Sequence, residues 1–403
     1  MKKIKTILTK INYPRIKKPR LNFFKDFVES EKSAGYLLVI ITIISMLLAN
    51  SQFGRDYILF WHNYIDLSFY DIQLKLSIEH WINDGLMCVF FLLVGLEIER
   101  EIYEGELSSI KKASLPTIAA LGGMIIPALI HFLFNSGMIS QKGFGIPMAT
   151  DIAFTLGALS LLGKRIPVSL KIFLTALAII DDLGAIIIIA LVYSSTVSIM
   201  YLIGVCVVII ILIIIKRLKI NTLSPYLILG AVMWYFMLKS GVHSTISGVI
   251  LAFLIPFKKQ DEKNISHKLQ HILHKPVAFI ILPIFALANT AILLPSNIVE
   301  NLSTANSLGI IAGLVIGKPL GIFIFSFIAV KLSISVLPKL INWRLIFGTA
   351  CLAGIGFTMS IFITNLAFVD SDLVDSSKLS VIVASLISAI IGLTSLKLIL
   401  KTK

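Results

Sequence analysis

Two adjacent aspartates, Asp181 and Asp182, lie in the middle of a long apolar stretch of the sequence. A charge at the centre of a membrane-spanning helix costs about 2.5 to 3.5 kcal/mol on insertion scales, so two acids there indicate a function. Desolvation and a second nearby carboxylate both favour the protonated acid. A hard cation such as Na⁺ binds the same oxygens once they are deprotonated. The pair therefore predicts a site where a proton and a cation compete, and both aspartates are candidate ligands.

The two aspartates are predicted to have different partners. Adjacent residues of an α-helix point about 100° apart, so they cannot share one partner equally. We expect one of them to face a cavity and the other to pair with a cation, for which Lys318 is the one basic residue that the sequence places inside a helix of the other half. The alternative is a structural salt bridge between two helices, which suits one aspartate better than both.

Two predicted helices are interrupted where no turn is needed. The first break, residues 145–151, places Thr150 and Asp151 at membrane depth, and the second contains Gly354 and Gly356. Unwound backbone survives in a bilayer only where protein or a wet cavity surrounds it, and paired interrupted helices indicate a transporter site. The competing interpretation is that the two glycines only allow close helix packing.

Crossing of the two broken helices would collect four half-helix ends at one point, each with about half an elementary charge of dipole. Asp151 is predicted to offset the positive ends and Lys318 the negative ends. Thr150 is predicted to lend an oxygen to the ion or to cap a half-helix.

The composition requires a membrane, because 57% of the 403 residues are hydrophobic and only 14% are charged. We predict an all-α polytopic protein with about twelve transmembrane helices. The breaks fall in the second helix of each of two three-helix blocks, 114–194 and 306–400, which predicts an inverted repeat. The predicted helices are 35–50, 80–98, 114–134, 146–162, 168–194, 199–216, 223–238, 241–256, 276–294, 306–330, 343–367 and 379–400.

The net charge of +14 follows from topology rather than from a nucleic-acid partner. With a cytoplasmic N-terminus, 30 of the 36 Lys and Arg residues lie in inside segments and five in outside loops. Both termini are therefore predicted to be cytoplasmic, in an inner membrane, with an acidic outer loop around Asp370, Asp372 and Asp375. Residues 1–34 form a basic cytoplasmic segment, expected on the anionic leaflet or in water, and residues 35–403 form the membrane domain.

Residues 65–77 alternate apolar and polar side chains on both sides of a polar turn. This pattern predicts a small extracytoplasmic β-hairpin, which is marginal by itself and could add to a second copy in a homodimer. An ordinary surface loop is the alternative.

Further titratable residues lie near the predicted membrane surfaces. Asp84 and Glu97 belong to the second helix, and Glu97, Glu99 and Glu101 run into a loop that is either a solvated rim or a cation-attracting funnel. His243, at the start of the eighth helix, is either an interface residue or a group that titrates near neutral pH.

Taken together, these motifs resemble the NhaA family of bacterial sodium/proton antiporters, an inverted-repeat family. The likeness covers about residues 25–400. It is carried by residues 149–151 (Ala-Thr-Asp), 178–184 (Ala-Ile-Ile-Asp-Asp-Leu-Gly), 317–321 (Gly-Lys-Pro-Leu-Gly) and 354–358 (Gly-Ile-Gly-Phe-Thr), with further matches at 81–86, 95–97 and 238–243.

The resemblance implies a dimeric twelve-helix antiporter that exports Na⁺ or Li⁺ against protons, maintains sodium and pH balance, needs no cofactor and is not an enzyme. It assigns the main ion and proton carboxylate to Asp182 and the partner, paired with Lys318, to Asp181. Thr150 and Asp151 correspond to break-stabilising residues. The positions linked to pH response or structural support are Asp84, Glu97, Glu101, His243, Gly354 and Gly356.

Two departures from the family pattern, Glu99 and Gln270, predict a shifted or flattened pH profile. Three other classes are weighed against the antiporter. A channel would show a continuous polar lining instead of one carboxylate cluster. An intramembrane aspartyl protease could use Asp151 and Asp182 from two helices, but Lys318 and the broken helices disfavour it. A sodium-coupled symporter can share the architecture and stays the alternative.

Overall fold

The computed structural model describes residues 19–70, 73–193, 197–259, 261, 264–338 and 340–401, so most of the predicted N-terminal segment 1–34 lies outside or at the edge of the described residues. The described chain is mostly helical. Its helices are α1 (Pro19–Ala49), α2 (Gly54–His62), α3 (Ile78–Tyr103), α4 (Ile110–Phe134), α5 (Ile152–Ser160), α6 (Val168–Val192), α7 (Ile199–Arg217), α8 (Ser224–Ser240), α9 (Ile246–Leu254), α10 (Ile265–Asn289), α11 (Ile298–Leu302), α12 (Ala305–Lys331), α13 (Trp343–Ala353), α14 (Phe357–Ala367) and α15 (Ser371–Lys401).

Seven of the helices in the described residues are long and apolar enough to cross a membrane: α3, α4, α6, α7, α10, α12 and α15. Two bent pairs raise this number to nine if each pair is one span. The pair α1 and α2 bends by 111°, and the pair α13 and α14 bends by 47°. The chain is therefore a multi-pass membrane protein.

A two-stranded antiparallel sheet follows α2. Strand β1 (Tyr64–Asp66) pairs with β2 (Lys75–Ser77), with Ile65 opposite Leu76. All three β1 residues are exposed. We call the end of the molecule that carries this ladder the hairpin face and the other end the opposite face.

Several helix boundaries differ from the sequence predictions. α10 begins at Ile265 instead of 276, because Asn264 caps a polar first turn that the hydropathy pattern assigned to a loop. α15 begins at Ser371 instead of 379, so Asp372, Asp375 and Lys378 are helical rather than part of an outer loop. A hydropathy pattern records the apolar part of a helix and misses its polar ends.

Close helix packing in the core depends on small residues. α4 and α12 cross at Gly122 and Gly321, where a Cβ on Gly321 would lie 2.0 Å from the carbonyl oxygen of Gly122. Backbones approach this closely in membranes where glycine removes the side chain. This contact holds Lys318, one turn earlier on α12, against the interior.

Candidate functional site

The two breaks lie against each other in the core. A 3₁₀ segment, Ile139–Met148, ends before residues 149–151, and α5 then begins at Ile152. Residues 354–356 separate α13 from α14. The backbone N–H of Asp151 donates to the carbonyl oxygen of Ile355 at 2.7 Å. This bond satisfies unwound backbone in the interior, where no helix partner is available.

Asp151 caps the N-termini of two half-helices at once. Its Oδ1 accepts from the backbone N–H of Phe154 at 2.9 Å, in the first turn of α5. Its Oδ2 accepts from the backbone N–H of Thr358 at 3.0 Å, in the first turn of α14, and from the Thr358 hydroxyl. One carboxylate thus meets the positive ends of both helix dipoles.

The C-terminal ends of the other two half-helices receive donors. The Lys318 ammonium donates to the carbonyl oxygen of Met148, at the end of the 3₁₀ segment. The Thr150 hydroxyl lies 3.0 Å from the carbonyl oxygen of Ala353, at the end of α13. Lys318 follows directly after a π-helical turn of α12, Gly313–Gly317, a type of distortion that is frequent at functional sites.

Asp181 forms an ion pair with Lys318. Asp181 Oδ2 lies 2.9 Å from Lys318 Nζ, and both side chains are fully buried. The same oxygen lies 2.7 Å from the Thr150 hydroxyl, whose single proton is donated there or shared with Ala353. The pair connects α6 with α12 and closes a short network around Thr150.

Asp182 has a different environment. It is 1% exposed, and neither of its carboxylate oxygens has a hydrogen-bond partner among the described residues. It lines a cavity that extends along α3 and α10 toward the opposite face, with Glu97 and His274 farther along. Asp151 and Thr358 line the same cavity. Of the two adjacent aspartates, Asp182 is therefore the one that faces the cavity.

The remaining predicted residues do not all lie at the aspartate pair. Glu97 is in the cavity, whereas Glu101 binds Arg100 at 3.1 Å and accepts from the Glu106 N–H. Asp84 lies near the hairpin face, where its Oδ1 accepts from the Ser244 hydroxyl at 2.9 Å. His243 Nε2 donates to the carbonyl oxygen of Tyr193 at 2.7 Å. The structure does not bring Glu101, Asp84 or His243 to the aspartate pair.

The glycines of the second break are explained by space. A Cβ on Gly354 would lie 2.5 Å from the carbonyl oxygen of Leu314 and 2.7 Å from Ser388 Oγ. Its φ of −68° is available to any residue, so close approach alone requires glycine there. At Gly356 the added Cβ would lie 2.2 Å from Ser360 Oγ.

Polar residues of α15 that were not among the predicted site residues lie beside the site. Ser385 Oγ accepts from the backbone N–H of Phe357, the first residue of α14, at 3.2 Å. Ser385 and Ser388 recur on one face of α15 at helical spacing, a signal that the apolar context concealed.

Lys318 was expected to be the only buried basic residue of the second block. The structure shows a second one in the described residues. Lys378 is 5% exposed, and its Nζ lies 3.8 Å from Glu79 Oε1. Its position eight residues into α15 was assigned to a loop, which is why the sequence prediction was wrong.

Residues 25–396 match the family model described as "Na+/H+ antiporter 1". A protein of Cytophaga hutchinsonii named Na(+)/H(+) antiporter NhaA is 57% identical over 378 residues, which cover 94% of this chain and 96% of that protein. Na(+)/H(+) antiporter NhaA 1 of Flavobacterium johnsoniae is 56% identical over 94% of this chain and 97% of its own length. The NhaA antiporter of Dechloromonas aromatica is 55% identical, with coverages of 92% and 94%. These names give the symporter alternative no support.

Proposed function

Because this chain belongs to the Na⁺/H⁺ antiporter 1 family, we propose that its exchange of Na⁺ for H⁺ takes place at Asp182. The observation that carries this proposal is the difference between the two neighbouring aspartates. Asp181 is held by Lys318 and Thr150, whereas Asp182 lines the cavity without a hydrogen-bond partner among the described residues. A buried carboxylate in that condition is costly until it takes up a proton or a cation.

Competition for one carboxylate provides the coupling. Protonated Asp182 is neutral and can stay buried, whereas ionised Asp182 needs a cation beside it. Bound Na⁺ and bound H⁺ then exclude each other at the same oxygens, so one leaves when the other arrives. Li⁺ can use the same oxygen ligands.

The other charged groups of the site are neutralised by partners of their own, so they do not need to change when Asp182 exchanges a proton for a cation. Asp181 and Lys318 neutralise each other, and Asp151 is engaged by two helix N-termini. The described residues contain no group of three His, Cys, Asp or Glu side chains suited to a metal ion. The remaining oxygen ligands for Na⁺ would therefore come from neighbours such as Thr358, from backbone carbonyls, from water, or from Asp181 if its pair with Lys318 opens.

We propose the finer architecture on the same basis. The chain would have twelve spans with inverted repeats at 114–194 and 306–400, both termini in the cytoplasm, and a homodimer formed through the hairpin in the inner membrane. The positive-inside distribution supports this orientation, which places the hairpin face outside. Crosslinking between single cysteines in β1 would test the dimer contact.

The resemblance to the NhaA family implies an antiporter that is more active at alkaline pH, and we also propose that the pH response of this chain differs from that. Glu99 is buried on α3 and accepts a long hydrogen bond, 3.5 Å, from Ser266 of α10, and Gln270 is buried one turn further along α10. Glu97 and Glu101 flank this contact on α3, and His243 would act near the hairpin face. A pH–activity curve that matches a typical alkaline-activated relative would contradict this part.

The deciding experiment is transport in inverted vesicles with an imposed proton gradient. Added Na⁺ should collapse the gradient with the native protein and fail to do so with Asp182→Asn, because the amide can neither bind the proton nor neutralise the ion. Asp370→Asn, which removes an exposed aspartate, is the matched control and should transport normally. Equal transport by Asp182→Asn and the native protein would overturn the assignment.

A further inference from the structure

Three asparagines from three different helices form a hydrogen-bonded chain near the hairpin face. Asn289, the last residue of α10, donates through Nδ2 to Asn83 Oδ1 of α3 at 2.9 Å. Asn365, near the end of α14, donates through Nδ2 to Asn289 Oδ1 at 2.5 Å. The middle member is fully buried, and its Nδ2 also reaches the carbonyl oxygen of Phe285 at 3.0 Å.

A layer of three phenylalanines lies deeper on the same three helices. Phe362 of α14 packs against Phe91 of α3, with ring centroids 5.3 Å apart, and against Phe285 of α10 at 6.4 Å. All three rings are buried. Phe285 and Phe362 precede Asn289 and Asn365 by four and three residues, so one helical turn separates the two layers on α10 and α14.

The cavity of Asp182 begins one turn deeper again. Leu282 of α10 and Met359 of α14 line it, three residues before Phe285 and Phe362. The order along these helices is therefore cavity, phenylalanine layer, asparagine chain and hairpin face. The cavity extends from Asp182 toward the opposite face, and the two layers close the direction toward the hairpin face.

We propose that the route between Asp182 and the hairpin face runs between α3, α10 and α14, and that Asn83, Asn289 and Asn365 are the residues that hold this route closed. The inference rests on the proposed exchange at Asp182, since an exchanged ion must leave on the side away from its entry. The asparagines position helices and are not ligands of the site described above.

The chain of amides is placed where the helices must separate. α14 belongs to the predicted block 306–400, whereas α3 and α10 lie outside both repeat blocks. In transporters with such repeats, one repeat or bundle rocks against the other parts, and the Asn365–Asn289 bond would cross that boundary. Bonds between neutral amides can break and re-form without moving a charge, unlike an ion pair at the same depth. Opening also exposes amide oxygens, which a passing hard cation can contact.

The test is access of a thiol reagent to the cavity from the hairpin side. Met359→Cys is introduced into a protein in which Cys88, Cys206 and Cys351 are replaced by serine, and a membrane-impermeant maleimide is added on that side. Asn365→Ala should raise the labelling rate of the cysteine at position 359 about threefold to tenfold. The substitution removes a hydrogen bond that forms only in the closed state, so it shifts the population toward the open state. Asn365→Gln, which keeps the amide, should label at a rate nearer that of the parent.

A buried asparagine elsewhere provides the matched control. Asn306 donates to Ser377 and lies 3.2 Å from His131, and its partners all lie on helices of the two repeat blocks. Asn306→Ala should leave the labelling rate unchanged. If Asn365→Ala does not accumulate in the membrane, Asn365→Ser replaces it under the same criterion.

An unchanged rate in the Asn365 variant, or an equal rise in Asn306→Ala, would overturn the proposal. The labelling requires no transport, so its failure is separate from that of the proposed exchange. That exchange is tested by Asp182→Asn, in which the asparagine chain is intact.

Discussion

The two breaks use different means to survive in the membrane interior. The first break carries polar side chains, and Thr150 and Asp151 hydrogen-bond to the backbone of the second. The second break offers backbone groups and, at Gly354, a position without a side chain that neighbouring atoms approach closely. The side chains that join the two breaks thus come from the first, while Lys318 and Ser385 add one bond to each break from other helices. The close approach is permitted by the second. Removing atoms should therefore damage the first break, and adding atoms should damage the second.

The largest effect is expected for Asp151→Ala. The substitution removes the acceptor of two backbone N–H groups and one hydroxyl, and it should lower the free energy of unfolding by about 3 to 9 kcal/mol, at about 1 to 3 kcal/mol for each buried group left without a partner. Thermal unfolding in detergent measures this loss. Asp151→Asn keeps one acceptor oxygen and should lose less. Equal stability of Asp151→Ala and the native protein would contradict the double-cap interpretation.

A somewhat smaller loss is expected for Lys318→Met. It leaves Asp181 as a buried charge without its cation, which typically costs about 3 to 5 kcal/mol. The double variant Lys318→Met with Asp181→Asn should be more stable than Lys318→Met alone, since no charge then remains unpaired. A double-mutant cycle on thermal stability measures the coupling between the two residues. Additive losses would show that Lys318 does not stabilise the protein through its ion pair with Asp181.

Addition of a methyl group at the second break should cost less. Gly354→Ala places Cβ 2.5 Å from a backbone oxygen that cannot rotate away, and overpacking of this kind typically costs about 1 to 3 kcal/mol. Gly204→Ala on α7 is the control, because the atoms nearest to its methyl, from 3.0 Å, belong to the movable Phe236 ring. An equal loss of stability at both positions would contradict the interpretation that close backbone approach requires glycine at position 354.

The smallest effect is expected for Ser385→Ala on α15. Loss of the acceptor for the Phe357 N–H should cost about 0.5 to 2 kcal/mol, as for other helix caps. Ser376→Ala, which removes a hydroxyl bonded only within its own helix, is the control on the same element. If both serines behave alike in thermal unfolding, α15 does not support the second break.

Polar helix ends were the least predictable feature of the fold. The apolar runs located the central parts of the helices, but the N-terminal turns of α10 and α15 were assigned to loops. Such turns are stabilised by caps and by contacts with other helices, which a hydropathy pattern does not record. The same error concealed Lys378, whose ion pair with Glu79 depends on a contact between two helices distant in sequence.

The sequence alone determined which groups are unusual: two acids in an apolar run, one lysine in another, and two interruptions that a bilayer tolerates only around a site. These features are local, and the free-energy cost of burying them can be estimated without a structure. Only the tertiary structure decided their partners, because each partner comes from a helix distant in the chain. In the structure, Asp181 forms an ion pair with Lys318, each oxygen of Asp151 caps the N-terminus of one half-helix, and Asp182 faces the cavity.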